Sequence, residues 1–239
     1  AKIRAKSSAE NRTNTLDTSD IYNRRGRMVY NISMTEHNLN PNHVVSHVLL
    51  ELLDLAAEIN KAEQKHYVEI GAGHYKDGNN SFVLETKHGW QGVSLDIDEE
   101  SVKEFRSLRS NPCLLQDAQT FDYTKYFEEN NFPKQIDFLQ LDIEDDFDSK
   151  GQNNDEALCL RALIAVPLNN YRFSVITFEH NVVQNFKNEW VREVSRRILD
   201  SFGYALVVRL PHEDIWVDPN VIPFNKYKDF FQLNSNWRD

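Results

Sequence analysis

Apolar and polar residues alternate along the chain in blocks that predict helices and strands in turn. After Pro41, apolar side chains recur at spacings of three and four residues as far as Ile59, which predicts an amphipathic helix. Short apolar runs with polar ends follow, and each predicts a strand: HYVEIG, GVSLDID, CLLQDA, QIDFLQLDIE, RFSVITFEH and YALVVRL. Helical segments separate these strands, and HEDIWVDP is compatible with one further strand.

Strands that alternate with helices predict an α/β fold, a doubly wound and mostly parallel sheet with helices on both faces. Ligands of such sheets bind at the carboxyl ends of the strands. Acidic residues stand at the ends of all five of the first strands: Glu69, Asp96, Asp117, Asp142 with Glu144, and Glu179. We therefore expect one ligand site at this edge, although strand ends are exposed anyway and chance is the alternative.

Composition and charge narrow the class of partner. The 239 residues, 40% of them hydrophobic, suffice for one main core rather than two. The chain carries 37 acidic and 27 basic side chains, a net charge of -10, which argues against nucleic acid or an anionic membrane as partner. No apolar run approaches the roughly 20 residues of a membrane helix, and no secretory signal opens the chain. These features predict a cytoplasmic protein.

Two cysteines, Cys113 and Cys159, lie far apart in the sequence without CxxC or paired-histidine spacing. That spacing argues against both a disulfide framework and a zinc site. We expect both side chains to be reduced thiols in the core.

The first predicted strand ends in the turn Gly71, Ala72, Gly73, where glycine permits a sharp turn and the close approach of a ligand. A dinucleotide fingerprint would need a third glycine at position 76, which is Lys76 here. Glu69, two residues before the turn, suits a ligand that carries an ammonium and a sulfonium rather than a pyrophosphate.

Two further acids extend this interpretation. Asp96 can bind a ribose diol through its two carboxylate oxygens, and Asp117, with Ala118 beside it, can accept a hydrogen bond from an adenine amino group. Together with Glu69 these residues favour S-adenosylmethionine over NAD.

The stretch YVEIGAGHYKDGNNSFVLETKHGWQGVSLDID resembles the FkbM-type S-adenosylmethionine-dependent methyltransferases, with their acid, GxG turn, Asn- and Ser-rich helix start and Gly-Trp-x-Gly. The similarity extends through IDFLQLDIE, YRFSVITFEHN, RRILDSFGYALVV and EDIWVDP. Two positions depart from the family pattern: Tyr75 replaces a third glycine, and Asp96 stands where members often have Glu. The resemblance implies a Rossmann-like class I methyltransferase fold.

The resemblance also implies roles for residues. Glu69 would reach the amino group of the cofactor directly or through water, Gly71 to Gly73 would lie against its methionine part, and Asp96 would bind the ribose. The implied activity is O-methylation of a sugar hydroxyl on a glycan or glycosylated metabolite. Two alternatives remain open, a nucleoside-binding module without turnover and an NAD-dependent enzyme.

An alcohol needs a general base, a divalent metal or both to act as a nucleophile at neutral pH. Asp142 and Glu179 end neighbouring predicted strands, and we expect them to orient the substrate or to bind Mg²⁺, which accepts few protein ligands. His180 is the candidate base because histidine titrates near neutral pH, and His74 competes with it. Trp216 is interpreted as a residue that either stacks on a sugar or packs in the core.

The domain organisation predicted from these features has two parts. Residues 1–20 are polar and aperiodic and are expected to be flexible, and residues 21–239 form one methyltransferase domain. This domain comprises a helical lead-in at 21–64, a cofactor-binding core at 65–210 and a substrate-side extension at 211–239. The first residue is Ala1, and a domain cut from a longer multidomain chain is one interpretation, with tag removal or methionine excision as the other. Asp145 and Asp146 are expected to be solvated loop acids.

Overall fold

The computed structural model describes residues 41–76, 79–143, 157–182 and 188–228, with side chains from Leu49 onward. The predictions for residues 1–40, for Glu144, Asp145 and Asp146, and for the end of the extension lie outside these ranges. The helices and strands alternate as the sequence pattern predicts. In chain order they are α1 (Pro41–Asn60), β1 (His66–Ile70), α2 (Asn80–His88), β2 (Gln91–Asp96), α3 (Glu99–Leu108), β3 (Cys113–Leu115), α4 (Tyr123–Glu129), β4 (Gln135–Leu141), α5 (Leu158–Ala165), β5 (Arg172–Glu179), α6 (Glu189–Ser201), β6 (Ala205–Arg209), β7 (Glu213–Val217) and α7 (Phe224–Tyr227).

The seven strands form one sheet in the order β3-β2-β1-β4-β5-β7-β6. The pairs from β3 to β5 are parallel, whereas β7 is antiparallel to both of its neighbours, β5 and β6. Strand order reverses between β1 and β4, because the chain runs outward to β3 and then returns to the other side of β1. A crevice for ligands is expected at this point in a doubly wound sheet.

Helices cover both faces of the sheet. On one face, Leu52 of α1 and Leu84 of α2 pack with sheet residues such as Tyr67 and Phe138. On the other face the core is formed by residues of α4, α5 and α6 together with the opposite side chains of the strands, among them Phe127, Leu160, Leu199, Val68, Ile70 and Leu139. Residues of β1 thus alternate between the two cores, as the period of two in a strand requires.

Local signals explain why the helices at the carboxyl edge begin where they do. Asp98 caps α3 by accepting a hydrogen bond from the N–H of Ser101 at 2.7 Å, and Asn79 caps α2 through the N–H of Phe82 at 2.8 Å. Gly89 ends α2 in the left-handed conformation at φ 68°. These caps set the helix starts that follow β1 and β2.

The predicted fold class, an α/β doubly wound sheet, is confirmed. β7 lies within HEDIWVDP, the segment that the sequence marks as compatible with a further strand, and it inserts between β5 and β6. Its place in the sheet depends on pairing with β5, which joins residues far apart in the chain, and no local pattern reports it.

The cysteine prediction is also confirmed, since Cys113 and Cys159 are both buried and no disulfide joins them. Across the described ranges, none of the helices combines the length and the apolar character of a membrane span.

Candidate functional site

The glycine turn lies where β1 and β4 separate. Gly71 has a φ of +82°, and a Cβ at this position would overlap the backbone carbonyl oxygen of Asp142. The N–H of Asp142 in turn donates to the carbonyl oxygen of Ile70 at 2.9 Å. Only glycine therefore fits at position 71, and the reason is contact between two parts of the chain itself.

Gly73 differs from Gly71, because no atom lies within 4 Å of a Cβ built on it, although its φ is +51°. Its N–H donates a hydrogen bond to Asp96 Oδ2 at 2.8 Å, and the N–H of Asp98 donates to Asp96 Oδ1 at 2.8 Å. Asp96 thus ties the turn after β1 to the end of β2. Each carboxylate oxygen keeps a further lone pair for a ligand.

Beyond Asp96 the carboxyl edge carries exposed apolar surface. Ile97 is 73% exposed and Leu115, at the end of β3, is 41% exposed. Asp117 is exposed and accepts the N–H of Gln119 at 2.9 Å, while Ala118 is buried. A flat apolar ring with an amino group would find both an apolar contact and an acceptor here. Sequence analysis missed Ile97, because an isolated isoleucine after a strand has no pattern of its own.

Glu69 lies in β1, two residues before the turn, and is fully buried. Its Oε2 accepts hydrogen bonds from Ser94 Oγ at 2.6 Å and from Ser81 Oγ at 2.9 Å. Burial raises the pKa of Glu69, against the opposing effect of these two serines. Glu69 thus holds α2 against β1 and β2 through its Oε2, while its Oε1 has no hydrogen-bond partner among the described residues. The contact with the cofactor, direct or through water, stays a prediction.

Arg109 is the centre of a buried network that sequence analysis missed. Its guanidinium forms an ion pair with Glu85 at 2.6 Å and donates to Ser81 Oγ at 3.1 Å and to the carbonyl oxygen of Tyr75 at 2.9 Å. It also lies 4.3 Å from the centre of the Phe105 ring. Arg109 thus fixes the segment after Gly73 and, through Ser81, the position of Glu69. Its distance in sequence from the turn hid this role.

Three carboxyl groups meet where β4, β5 and β7 reach the edge, and we call Asp142, Glu179 and Glu213 the carboxyl cluster. Glu179 and Glu213 are directly opposite each other across the antiparallel pair β5–β7. Burial raises the pKa of Glu179, and a side-chain hydrogen bond with Asp142 raises it further. Burial, then the charge of Asp142, raises the pKa of Glu213 to about 8. Glu179 is therefore neutral at pH 7, with its proton available to Asp142.

His180 follows Glu179 but lies in the interior, where it is 2% exposed. Its Nε2 is 3.8 Å from Asp214 Oδ1, and its Nδ1 accepts the N–H of Val182 at 3.4 Å. Arg196 binds the carboxylate of Asp214 with both Nε at 2.8 Å and Nη2 at 2.9 Å. Although burial opposes it, these hydrogen bonds hold the pKa of Asp214 below its usual value.

His180, the predicted base, is therefore buried with its ring next to Asp214, and its role toward a substrate stays a prediction. His212, which sequence analysis did not single out, has a side chain that is 24% exposed. Burial lowers the pKa of His212 and nearby His180 lowers it further, against the charge of Asp142. His212 is therefore a neutral histidine next to the carboxyl cluster. His74, the competing candidate, is exposed, and its Nδ1 accepts the N–H of Lys76 at 3.3 Å.

The structure brings Asp142 and Glu179 together, as the sequence predicts, while their proposed role as Mg²⁺ ligands stays a prediction. Among the residues that the structure describes, no group of three or more His, Cys, Asp or Glu side chains has a geometry that could hold a metal ion. Asp142 and Glu179 instead share a hydrogen bond, which raises the pKa of Glu179 after the larger effect of burial. Trp216 is 3% exposed and packs in the core, so it cannot stack on a sugar.

The strand order, with β7 antiparallel between β5 and β6, is that of the Rossmann-like class I methyltransferase fold. No protein-family model matches the sequence, and no curated protein matches it. Solved structures with a similar fold include the N-methyltransferase NodS from Bradyrhizobium japonicum WM9, with 11% identity and a TM-score of 0.40 over 74% of this chain and 94% of that one.

Two further structures are similar at the same level. Magnesium protoporphyrin IX methyltransferase (ChlM) from Synechocystis PCC 6803, solved with bound SAM, has 13% identity and a TM-score of 0.41 over 76% of this chain and 84% of that one. The N-terminal domain of human METTL16, in complex with SAH, has 12% identity and a TM-score of 0.47 over 82% of this chain and 87% of that one. At these identities the likeness concerns the fold alone.

Proposed function

We propose that this protein is an S-adenosylmethionine-dependent O-methyltransferase that acts on a sugar hydroxyl. The observation that carries the proposal is the crevice between β1 and β4, where Gly73 is open to a ligand and its N–H is bonded to Asp96. Asp96 and Ile97 at the end of β2 and Asp117 after β3 lie along the same edge of the sheet, which supports a nucleoside at this place. The acceptor class comes from the resemblance to FkbM-type methyltransferases.

In this proposal Asp96 accepts hydrogen bonds from the ribose diol, and Gly73 leaves room for the chain of the cofactor's methionine part. Ile97 covers one face of the adenine, while Asp117 accepts from its amino group. When bound, S-adenosylmethionine supplies an electrophilic methyl group on a sulfonium sulfur. Glu69, held by Ser81 and Ser94 through its Oε2, reaches the amino group of the cofactor directly or through water.

On the acceptor side, Asp142 is half-buried, and its backbone carbonyl lies against the turn at Gly71. It accepts a hydrogen bond from neutral Glu179, and its remaining lone pairs can accept one from a substrate hydroxyl. His212 is a neutral imidazole beside the same cluster, and it can take the proton that the hydroxyl loses. The transfer then places the methyl group on the hydroxyl oxygen and the proton on His212.

The first test is titration calorimetry with S-adenosylhomocysteine and with NAD. We expect binding of S-adenosylhomocysteine and none of NAD, because the turn lacks the third glycine that a pyrophosphate needs at the helix start. Binding of NAD alone would instead establish the dinucleotide enzyme that the glycine turn leaves open.

A second test separates an enzyme from a nucleoside-binding module. The protein is incubated with methyl-tritiated S-adenosylmethionine and a panel of free glycosides and glycosylated metabolites, and products are identified by mass spectrometry. An added mass of one methyl group on a sugar oxygen supports the proposal. Methylation of an amine in the same panel would replace the acceptor class, and cofactor binding without any product would support the module.

A further inference from the structure

We propose that Gln140 and Thr177 form a hydroxyl-binding subsite beside Asp142, and that this subsite selects an acceptor with two neighbouring hydroxyl groups. One hydroxyl lies at Asp142 for methyl transfer. The adjacent hydroxyl donates a hydrogen bond to Gln140 Oε1 and accepts one from Thr177 Oγ1. The inference rests on the proposed function and deepens it, because it names a vicinal diol as the class of acceptor.

The first observation is a break in the apolar pattern of two central strands. Phe138 on β4 and Val175 on β5 are register partners, and both are fully buried in the core formed with α1 and α2. Two residues farther along each strand, and so on the same face, Gln140 and Thr177 are partners in turn. They are only 3% and 1% exposed. Polar side chains thus occupy two positions whose burial favours apolar ones.

The second observation is that each of these side chains has a buried oxygen without a hydrogen-bond partner. Neither Gln140 Oε1 nor Thr177 Oγ1 finds one in the part of the chain that the structure describes. Such a group costs free energy on folding, and most buried polar groups are therefore paired with the protein or with a bound molecule. Because neighbouring strands are about 4.8 Å apart, a single ligand group can reach both oxygens.

Buried polar side chains nearer the other end of the same two strands are paired within the protein. Asp137 on β4 accepts the N–H of His66 at 2.8 Å, and Ser174 Oγ on β5 accepts Gln135 Nε2 at 3.2 Å. Both Asp137 and Ser174 are buried as deeply as Gln140 and Thr177. Unpaired oxygens are therefore not a general property of β4 and β5, and these two lie toward the carboxyl edge.

Gln140 joins the subsite to the proposed place of methyl transfer. Its Nε2 donates to Asp142 Oδ2 at 3.4 Å, and Oε1 is bonded to the same carbon as Nε2, so this oxygen also lies close to Asp142. On β5, Glu179 lies two residues beyond Thr177, and its Oε2 is a third buried oxygen with no partner among the described residues. A group next to a hydroxyl at Asp142 therefore meets the oxygens of the subsite.

The chemistry of the two oxygens favours a hydroxyl as that group. The amide oxygen of Gln140 only accepts hydrogen bonds, whereas the hydroxyl of Thr177 both donates and accepts. A substrate hydroxyl satisfies both at once. An ammonium group would leave the proton of Thr177 without an acceptor, and a hydrogen atom at the same place would leave both oxygens unpaired. A site built to bind a hydroxyl in this way strongly disfavours the analogue that lacks it.

The test measures how glycosides raise the melting temperature in the presence of saturating S-adenosylhomocysteine. The probes are the methyl glycosides of glucose, galactose, mannose, fucose and rhamnose, together with any glycoside that the transfer assay identifies as an acceptor. Each is compared with monodeoxy analogues that lack one hydroxyl of a neighbouring pair. At about 50 mM, a ligand stabilises the protein measurably if its dissociation constant is about 5 mM or lower.

The proteins are the wild type, Thr177→Val, Gln140→Met and the matched control Ser174→Ala. The control removes a buried hydroxyl from the same strand as Thr177, but one whose partner, Gln135, lies in the protein. Circular dichroism spectra establish that each variant is folded. If one of the two subsite variants does not fold, the other decides the matter.

We expect at least one glycoside to raise the melting temperature of the wild type by about 3 °C or more, and a monodeoxy analogue of it to raise it by less than about half as much. Thr177→Val and Gln140→Met should respond to this glycoside no more than the wild type responds to the analogue. Ser174→Ala should respond as the wild type does.

The melting temperatures without glycoside give a second, independent sign. Thr177→Val should melt about 2 °C or more above the wild type, because valine removes an unpaired buried hydroxyl. Ser174→Ala should melt below the wild type, because it removes a paired one. A gain in stability together with a loss of ligand response is expected of a binding residue and not of a structural one.

The inference would be overturned if no glycoside stabilised the wild type, if monodeoxy analogues stabilised it equally, or if the subsite variants kept the response. A buried water that pairs both oxygens is the structural alternative, and Thr177→Val would then melt below the wild type and still respond to glycosides. In each of these cases, binding of S-adenosylhomocysteine would leave the cofactor part of the proposed function intact. Failure of S-adenosylhomocysteine to bind would instead remove the proposed function itself.

Discussion

The N–H of Gly73 and the carboxylate of Asp96 form a hydrogen bond of 2.8 Å that joins the turn after β1 to the end of β2. One carboxylate thus has two tasks: it holds the backbone of the turn, and it presents its remaining lone pairs along the carboxyl edge. Because both tasks serve the same ligand position, loss of the carboxylate should weaken binding more than it weakens the fold.

The substitution Asp96→Asn tests this relationship. Asparagine keeps one acceptor oxygen, but it loses the charge and the second acceptor, and a hydrogen bond to a charged group contributes about 1.5–3 kcal/mol. We expect the affinity for S-adenosylhomocysteine to fall by about tenfold or more in titration calorimetry. Glu99→Gln, an exposed charge removal in the first turn of α3, is the control and should bind normally.

The two glycines of the turn should respond differently to alanine. Gly71→Ala places a Cβ against the backbone carbonyl of Asp142 at a φ of +82°, and we expect a loss of about 3 kcal/mol or more in the free energy of unfolding. Gly73→Ala has free space and should cost about 1 kcal/mol through its φ alone.

For ligand binding, position 73 should matter more than position 71, because the space beside Gly73 is the space that the cofactor would occupy. Gly73→Ala should fold and yet bind S-adenosylhomocysteine poorly. Urea unfolding and titration calorimetry on the two variants check both statements. Equal stability of the variants would contradict the contact between Gly71 and Asp142.

Arg109 and Glu85 form a buried ion pair, and removal of one partner leaves the other charge uncompensated. We expect Arg109→Met to lower the free energy of unfolding by about 3–5 kcal/mol. The double variant Arg109→Met with Glu85→Gln should be less destabilised than the sum of the two single variants. Urea unfolding of all four proteins gives the coupling energy, and strict additivity would show that the pair is energetically independent.

The raised pKa of Glu213 predicts how the free energy of unfolding depends on pH. Its folded-state pKa of about 8 lies above the ordinary value of 4.5, so the folded state holds its proton more tightly than the unfolded state. The corresponding stability is fully present below about pH 4.5 and is lost as the pH rises through about 8.

Glu213→Gln carries no titrating group at this position. Relative to this variant, the wild type should therefore lose melting temperature between about pH 5 and about pH 9, by an amount that corresponds to about 1 kcal/mol or more. Thermal melts of both proteins across this range check the sign. If the melting temperatures of the two proteins changed in parallel with pH, the pKa of Glu213 would not be raised in the folded state.

Much of the fold could be predicted from the sequence. The apolar runs marked the strands, and their alternation with helices indicated a parallel sheet, because a parallel connection needs a crossover. The acids at strand ends followed directly: once the strands are parallel, Asp96, Asp142 and Glu179 must reach the same edge. Gly71 and Gly73 marked the turn between them.

The same pattern did not predict which of the candidate side chains are buried. Glu69 and His180 have the residue types of a binding acid and a base, yet both are buried, one against Ser81 and Ser94 and the other against Asp214. Burial depends on how helices pack over the strand ends. A sequence pattern with a period of two indicates only on which face of the sheet a side chain lies.

The sequence by itself determined the strands, the turn and the carboxyl edge at which a ligand site can form, because these follow from local periodicity and from the geometry of parallel connections. Only the tertiary structure decided that β7 places Glu213 opposite Glu179 and brings His212 beside Asp142, and that Arg109 fixes the turn. These contacts join residues distant in the chain, and their register is set by packing and hydrogen bonding over the whole sheet rather than by any neighbouring residues.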